Sequence, residues 1–297
     1  MKIKIVSPSD TDSERMKIRL GDYWVQHDLN EEFKSRGYEI VEGKADVDIY
    51  LFGTMNYLNK STAPRKILWI YSHPAIIQSR SAQFKQFATK FEHIFVLSNS
   101  FIKNVQNRGV NCSVLLGGTS KQFVPRKKDP EFDLIFVGNS SKPARVQAMR
   151  HLIATNKYKI CVVGGRWDTV LGDSLKKVDY RGPYVDNQNL GELFNEAKLS
   201  FYSSHEDMRL EGFVAVRIMD IFASSENLCI SDSNKGLKDI YSNIPTFSSP
   251  KELEKKVDWF LAHPNEIKEA ADRCRKETKQ FSFKKIVTEM EKWITRK

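Results

Sequence analysis

Short runs of consecutive apolar residues, rich in Val, Ile and Phe and without polar alternation, recur along this chain. Ile3 to Val6, Val47 to Phe52, Lys66 to Tyr71, His93 to Leu97 and Cys112 to Leu116 form one set. Asp133 to Val137, Lys159 to Val163, Leu199 to Tyr202 and Leu228 to Ile230 form another. A strand with one wet face alternates polar with apolar residues. A strand that is apolar throughout is covered on both faces, as in a parallel sheet between helices. Stretches with helical spacing lie between the runs, including Ala82 to Phe91, Ser100 to Arg108 and Asn189 to Ala197. Three more close the chain, at Leu253 to Ala262, Pro264 to Gln280 and Phe283 to Ile294. The charged segment Pro125 to Pro130 separates the two sets and reads as a linker. At 297 residues the chain is long for one core and natural for two. The expectation is α/β, with one parallel-sheet domain over 1–125 and a second over 126–297.

Composition excludes several classes. Hydrophobic content of 40% and charged content of 28% describe a globular chain, not a disordered one. No apolar run is long enough to span a bilayer, and the N-terminal apolar stretch is too short for a secretion signal. Cys112, Cys161, Cys229 and Cys274 are scattered singly, which suits buried thiols in a reducing compartment and points to the cytoplasm. The net charge of +10 is uneven. Leu51 to Pro125 holds nine basic residues against one acid, Glu92. A field of that sign attracts polyanions such as nucleic acid, anionic lipid or phosphorylated glycan, although a lysine-rich solvated face is the plainer reading.

The most informative stretch runs from Ser203 to Asp239. An apolar strand enters a polar loop, then come Val214, Ile218, Ile221 and Phe222 at helical spacing, with Glu211 and Gly212 at the start of that helix. Ligands of parallel sheets bind beyond the carboxyl ends of the strands, and a helix N-terminus there offers N–H groups to a phosphate. Arg217 and Asp220 interrupt the apolar face, as ligands, as an internal ion pair or simply facing solvent. Elsewhere, Gly138-Asn139-Ser140 forms a small polar turn after a strand, with Lys142 and Arg145 placed to meet a diphosphate. Gly164 and Gly165 let the backbone approach a ligand, and Arg166 or Trp167 could flank a base, though ordinary packing suits Trp167 better. In the first half, Gly21-Asp22-Tyr23 opens a helix, with Asp22 equally suited to capping it. His73 follows a strand and can act as a base near neutral pH. Asp46 and Asp48 have a metal-binding spacing, but they precede an inward-facing strand and read as surface residues.

The pattern D-M-R-x-E-G-F-x-x-x-R-x-x-D-x-x-A, followed by I-S-D and G-L-x-D-I, resembles the C-terminal domain of group-one glycosyltransferases, nearest the branch named after spore maturation proteins. That resemblance implies the GT-B fold, two Rossmann-like domains facing across a cleft. It also implies transfer of a hexose or pentose from a nucleotide-diphosphate sugar, UDP-linked, with no metal and no further cofactor. Glu211 would orient the sugar and Asp220 would hold the ribose; the family spacing is Glu-x7-Glu, whereas eight residues separate these two and the second is Asp. Catalysis would fall to His73, Asp22 and Glu211. Donor binding would involve Gly21, Asn139, Lys142, Arg145, Arg166, Tyr184, Val185, Arg209, Gly212, Phe213, Arg217 and Asp220. Gly182-Pro183-Tyr184-Val185 resembles the segment that lies against the base.

The acceptor would meet the first domain, at Tyr23, Arg65, Lys66, Arg80 and Lys85. The charge there favours a polyanion, with hydroxymethylated pyrimidine in bacteriophage DNA as the first candidate. A cell-surface glycan or lipid is the alternative, and a non-catalytic nucleotide- or nucleic-acid-binding protein is a third. Oligomeric state is open.

Overall fold

The computed structural model describes residues 1–11, 21–52, 63–72, 74–125 and 128–296. The chain divides into two compact units, and the division is not a single cut. The first unit takes Met1–Gly118, Glu206–Val214 and Phe281–Lys297; the second takes Thr119–His205 and Ala215–Gln280. The expected boundary at 125 thus falls seven residues earlier, and two later segments belong with the N-terminal half.

In the first unit β1 (Lys2–Val6), β2 (Glu39–Ile40), β3 (Val47–Leu51), β4 (Arg65–Ile70), β5 (His93–Val96) and β6 (Cys112–Val114) form one sheet, in the order β2-β1-β3-β4-β5-β6. Every pairing is parallel. The central strand β3 is buried at each position, as its unbroken apolar pattern requires. The strand missed in the sequence, β2, is a two-residue edge strand without periodicity. Asp48 is only 2% exposed, which corrects its reading as a surface residue, while Asp46 accepts a hydrogen bond from the Lys2 main-chain N–H. Both lie at the amino end of β3, the wrong end for a ligand of a parallel sheet.

The helix Phe283–Ile294 completes this unit. Phe283, Ile286, Val287, Met290 and Ile294 share its buried face and join the first core. Its last carbonyls have no partners within the helix, and Arg65 supplies them by donating to Trp293 O at 2.8 Å and Ile294 O at 2.6 Å. The same guanidinium grips Glu92 with both forks. The sequence places Arg65 and Lys66 at the acceptor. Arg65 is a brace for this helix, and both residues begin β4, at the amino edge of the sheet. At about 3.3 Å per residue the strand holds them roughly 13–17 Å from its carboxyl end.

The second sheet runs β12-β11-β10-β7-β8-β9, again all parallel: β7 (Phe132–Val137), β8 (Ile160–Val163), β9 (Asp179–Tyr180), β10 (Ala197–Tyr202), β11 (Leu228–Asp232) and β12 (Thr246–Phe247). From β7 the chain winds outward through β8 and β9, then returns to the far side of β7 with β10. Winding reverses between β7 and β10, which makes that pair the topological switch point of the sheet. The helices Pro143–Thr155, Val216–Ser224, Pro250–Ala262 and Pro264–Thr278 belong to this unit. All four cysteines are buried and unpaired, and burial pushes the thiols of Cys112 up to about 11 and of Cys161 and Cys274 up to about 12. Among the described residues no helix is long and apolar enough to cross a membrane.

His93 stacks on Trp293 at 3.5 Å, shares a hydrogen bond of 2.7 Å with Ser113, and is held neutral, its pKa lowered by burial and by Arg296 to about 4. The unfolded chain takes up this proton near pH 6.5. The folding contribution is therefore complete above pH 6.5 and is lost as pH falls toward 4, by an amount of order 2–3 kcal/mol. Urea melts between pH 7.5 and 4.5 are expected to show this loss in the wild type and a shallower pH slope in His93→Asn.

Candidate functional site

Parallel strands deliver their following loops to one edge of each sheet, so the polar residues gather in two clusters, one per unit. In the first unit Asp22 lies in the opening turn of the helix Gly21–Ser35, which leaves the carboxyl side of β1. It is inside the helix and not its cap, and its carboxylate accepts a hydrogen bond from the hydroxyl of Tyr71, the residue after β4. Tyr23 packs edge-on against Trp24, with ring centroids 5.2 Å apart. His73 lies outside the described residues.

Glu211 belongs to this cluster, and not where the sequence pattern put it. The expected polar loop contains a short helix, Glu206–Glu211, which Glu211 ends instead of starting the next one. Gly212 takes φ +77° and the Phe213 N–H donates to Met208 O at 2.8 Å, the helix-ending bond in which a left-handed residue turns the chain out. Phe213 then enters the first core at 0% exposure, edge-on to Phe101 at 5.3 Å. Its side chain is an anchor in that core, not a group facing a donor. The Glu211 carbonyl accepts from the hydroxyls of Ser98 at 2.6 Å and Ser100 at 2.8 Å, while its carboxylate accepts from Gln78 Nε2 at 2.7 Å. Asp207 accepts a long hydrogen bond of 3.4 Å from the Ala75 N–H, and Arg209 sits half-buried on the same short helix. Pattern reading missed Gln78, Ser98 and Ser100; only their position after β4 and β5 marks them.

In the second unit the cluster forms at the ends of β7, β8, β10 and β11. Arg145 is 6% exposed, on the helix after β7. Its guanidinium donates to Ser203 O at 2.6 and 3.1 Å and to Asn139 O at 2.8 Å, and it lies 5.6 Å from the Phe136 ring centroid. Burial lowers its pKa, opposed by Tyr202 and Asp232. Lys142 is half-exposed at the N-cap position of that helix. Asp232 accepts from Ser204 N at 2.7 Å and Ser204 Oγ at 3.1 Å. Asp220, 5% exposed, accepts from Thr119 Oγ1 at 3.1 Å and is paired with Arg217 at 3.5 Å, the internal ion pair that the sequence left open. Arg217 and Asp220 share the helix Val216–Ser224, while Glu211 belongs to the other unit.

Of the two glycines after β8, only Gly164 works by close approach; a Cβ on Gly165 would meet nothing within 4 Å. A Cβ on Gly164, at φ +138°, would sit 2.1 Å from Gly138 O. Trp167 is fully buried, and its indole donates to the same carbonyl at 2.8 Å, confirming its packing role. Arg166 beside it is exposed and left-handed at φ 68°, a conformation costly for a non-glycine residue and often retained at ligand sites. Tyr184 and Val185, half-buried, follow β9. Among the described residues no group of three or more His, Cys, Asp or Glu is placed to hold a metal ion.

No curated protein matches this sequence. A family described as "Glycosyl transferase-like" matches residues 145–292. Solved structures align along the whole chain at low identity. HepE of Anabaena in complex with UDP and glucose has 8% identity and a TM-score of 0.68, covering 100% of this chain and 99% of that one. An alpha-glucosyltransferase in complex with UDP and a 13-mer DNA containing a HMU base has 9% identity and a TM-score of 0.69, with both chains fully covered. Phage T4 BGT in complex with UDP and Mn2+ has 13% identity and a TM-score of 0.60, also with both chains fully covered. At these identities the likeness is one of fold, two parallel-sheet α/β domains of the GT-B type.

Gly164→Ala is expected to destabilise the second unit by about 2–4 kcal/mol, because a backbone carbonyl cannot yield to the added methyl. A melting temperature within two degrees of the wild type would contradict the close approach.

Proposed function

We propose that this chain, a GT-B glycosyltransferase whose residues 145–292 match the Glycosyl transferase-like family, moves a sugar from a UDP-linked donor to a hydroxyl of a polyanionic acceptor. The motif over 207–239 inclines us to the spore-maturation-protein-like branch. On this reading the second unit holds the donor. Lys142, at the N-cap of a thirteen-residue helix beyond β7, adds its charge to the free N–H groups of that terminus and neutralises a leaving diphosphate as its charge grows. Asn139, Arg166, Tyr184 and Val185 line the same edge. Glu211, its carbonyl doubly bonded and its carboxylate held by Gln78, is the sugar-side acid; Asp22, oriented by Tyr71, and His73 serve the acceptor hydroxyl as base or hydrogen-bond partner. The same reading needs no metal, since cations and helix N–H groups carry the charge; T4 BGT was solved with Mn2+, so chelation is a direct check.

The observation that carries the acceptor is unbalanced charge. Arg80, Lys85, Lys90 and Lys103 are exposed in the first unit, and Arg108 joins their surface by donating to Ser81 Oγ at 2.9 Å. The nearby acid in sequence, Glu92, is already gripped by Arg65. Among the described residues none of Arg80, Lys85, Lys90 and Lys103 forms an ion pair, although Asp207 and Glu211 lie against the helix just before Arg80. Such a surplus of cations favours a phosphate backbone. DNA carrying hydroxymethylated pyrimidine is our first acceptor, and one similar fold was solved with DNA containing a HMU base. A target base would then be approached in the groove or extruded.

Incubation with a panel of UDP- and GDP-sugars is expected to show consumption of one UDP-sugar, stimulated by hydroxymethylated DNA over plain DNA and unaffected by EDTA. Glu211→Ala is expected to lower kcat by about 10²–10³-fold. Donor binding without turnover would instead mark a non-catalytic binder. The logarithm of DNA affinity should fall linearly with the logarithm of salt concentration, and Arg80→Ala or Lys85→Ala should each reduce that slope by about one. A neutral surface glycan as acceptor would give no such slope.

A further inference from the structure

The sequence offers Arg145 as a cation for the donor diphosphate, but its guanidinium is turned into the protein. It joins the loop after β7, at Asn139, to the loop after β10, at Ser203, with two hydrogen bonds to the Ser203 carbonyl. Those strands flank the switch point of the sheet, where the loops diverge and a ligand crevice opens. Asp232, at the end of β11, holds the next residue, Ser204, by both its main-chain N–H and its hydroxyl. The resulting chain of contacts runs Asn139, Arg145, Ser203, Ser204, Asp232 and spans three adjacent strands, β7, β10 and β11. A guanidinium presents donors in a fixed planar fork and can hold two carbonyls at once; an ammonium at the same place carries the charge but not the geometry.

We infer that Arg145 and Asp232 are positioning residues that brace the two loops at the switch point of the second unit, and that direct contact with the donor diphosphate falls to Lys142. The inference rests on the donor reading given above for the same unit. It makes charge at position 145 secondary and shape primary. A phosphate ligand would behave in the opposite way, since a lysine there would keep most of the attraction. Arg145 also lies 3.3 Å from where a Cβ on Gly138 would be, so the loop after β7 is shaped around it.

The test compares Arg145→Lys, Arg145→Met, Asp232→Ala and Lys142→Ala in the full chain, using hydrogen exchange of the unliganded protein and UDP itself as the titrant. Arg145→Lys and Arg145→Met are expected to raise exchange alike in 139–141 and 203–205, and to weaken UDP by about tenfold each, as loss of a preorganised geometry does. Asp232→Ala, which removes both contacts to Ser204, is expected to raise exchange at 203–205, and it carries the test if Arg145→Met does not fold. Lys142→Ala is expected to weaken UDP with native exchange in both loops. If Arg145→Lys keeps native exchange and UDP affinity within about twofold while Arg145→Met loses the affinity, charge alone matters and the brace is overturned. Native exchange and affinity in Asp232→Ala would also overturn it. Failure of the wild type to bind UDP would sink the donor reading, while the exchange data would still decide the brace.

Discussion

A parallel ladder permits only crossover connections, and that one constraint arranges the chemistry of both units. Each crossover returns the chain to the amino edge, so every loop after a strand leaves from the carboxyl edge. Asn139, Gly164, Ser203 and Asp232 come together because β7, β8, β10 and β11 all point the same way. Asp22, Tyr71, Ser98 and Ser100 meet for the same reason in the first sheet. The rule also removes candidates. Asp46, Asp48, Arg65 and Lys66 carry suggestive charges, yet they stand where strands begin. There they serve the sheet and the C-terminal helix.

The segment from Glu206 to Val214 shows a second physical principle, that anchoring outweighs sequence adjacency. Gly212 ends the short helix and turns Phe213 into the core of the first unit, where burying a phenyl ring contributes roughly 2–3 kcal/mol. With Phe213 fixed, Glu211 is fixed as well, since two serine hydroxyls hold its carbonyl. The chain then returns to the second unit for the helix that carries Arg217 and Asp220. Two carboxylates that look like one motif are thus set by two different cores.

Charge in this protein separates by what each cation touches. Arg65, Arg145 and Arg217 have carboxylates or carbonyls in place, and their planar forks suit bracing. Arg80, Lys85, Lys90 and Lys103 are exposed on a stretch almost empty of acid. Buried guanidinium groups must be satisfied where they stand, because an unpaired one is costly; exposed lysines bear no such cost and remain available to a partner.

Much of this was legible in the residues themselves. Unbroken apolar runs such as Val47 to Phe52 and Leu228 to Ile230 marked covered parallel strands, Phe283 to Ile294 marked its helix to the residue, and Leu253 to Ala262 marked one that begins three residues earlier, at Pro250. Two α/β domains follow from those patterns, and the basic surplus of the first half is a matter of counting. Periodicity is local, however, and it reports which face of an element is apolar, not which core receives it. Only the tertiary structure decided that Phe213 and the last helix belong to the first unit, that Arg145 faces inward, and that Arg65 ends a helix more than two hundred residues away in sequence. Those outcomes depend on hydrogen bonds and packing between segments distant in the chain, and the spacing of neighbouring residues carries no record of them.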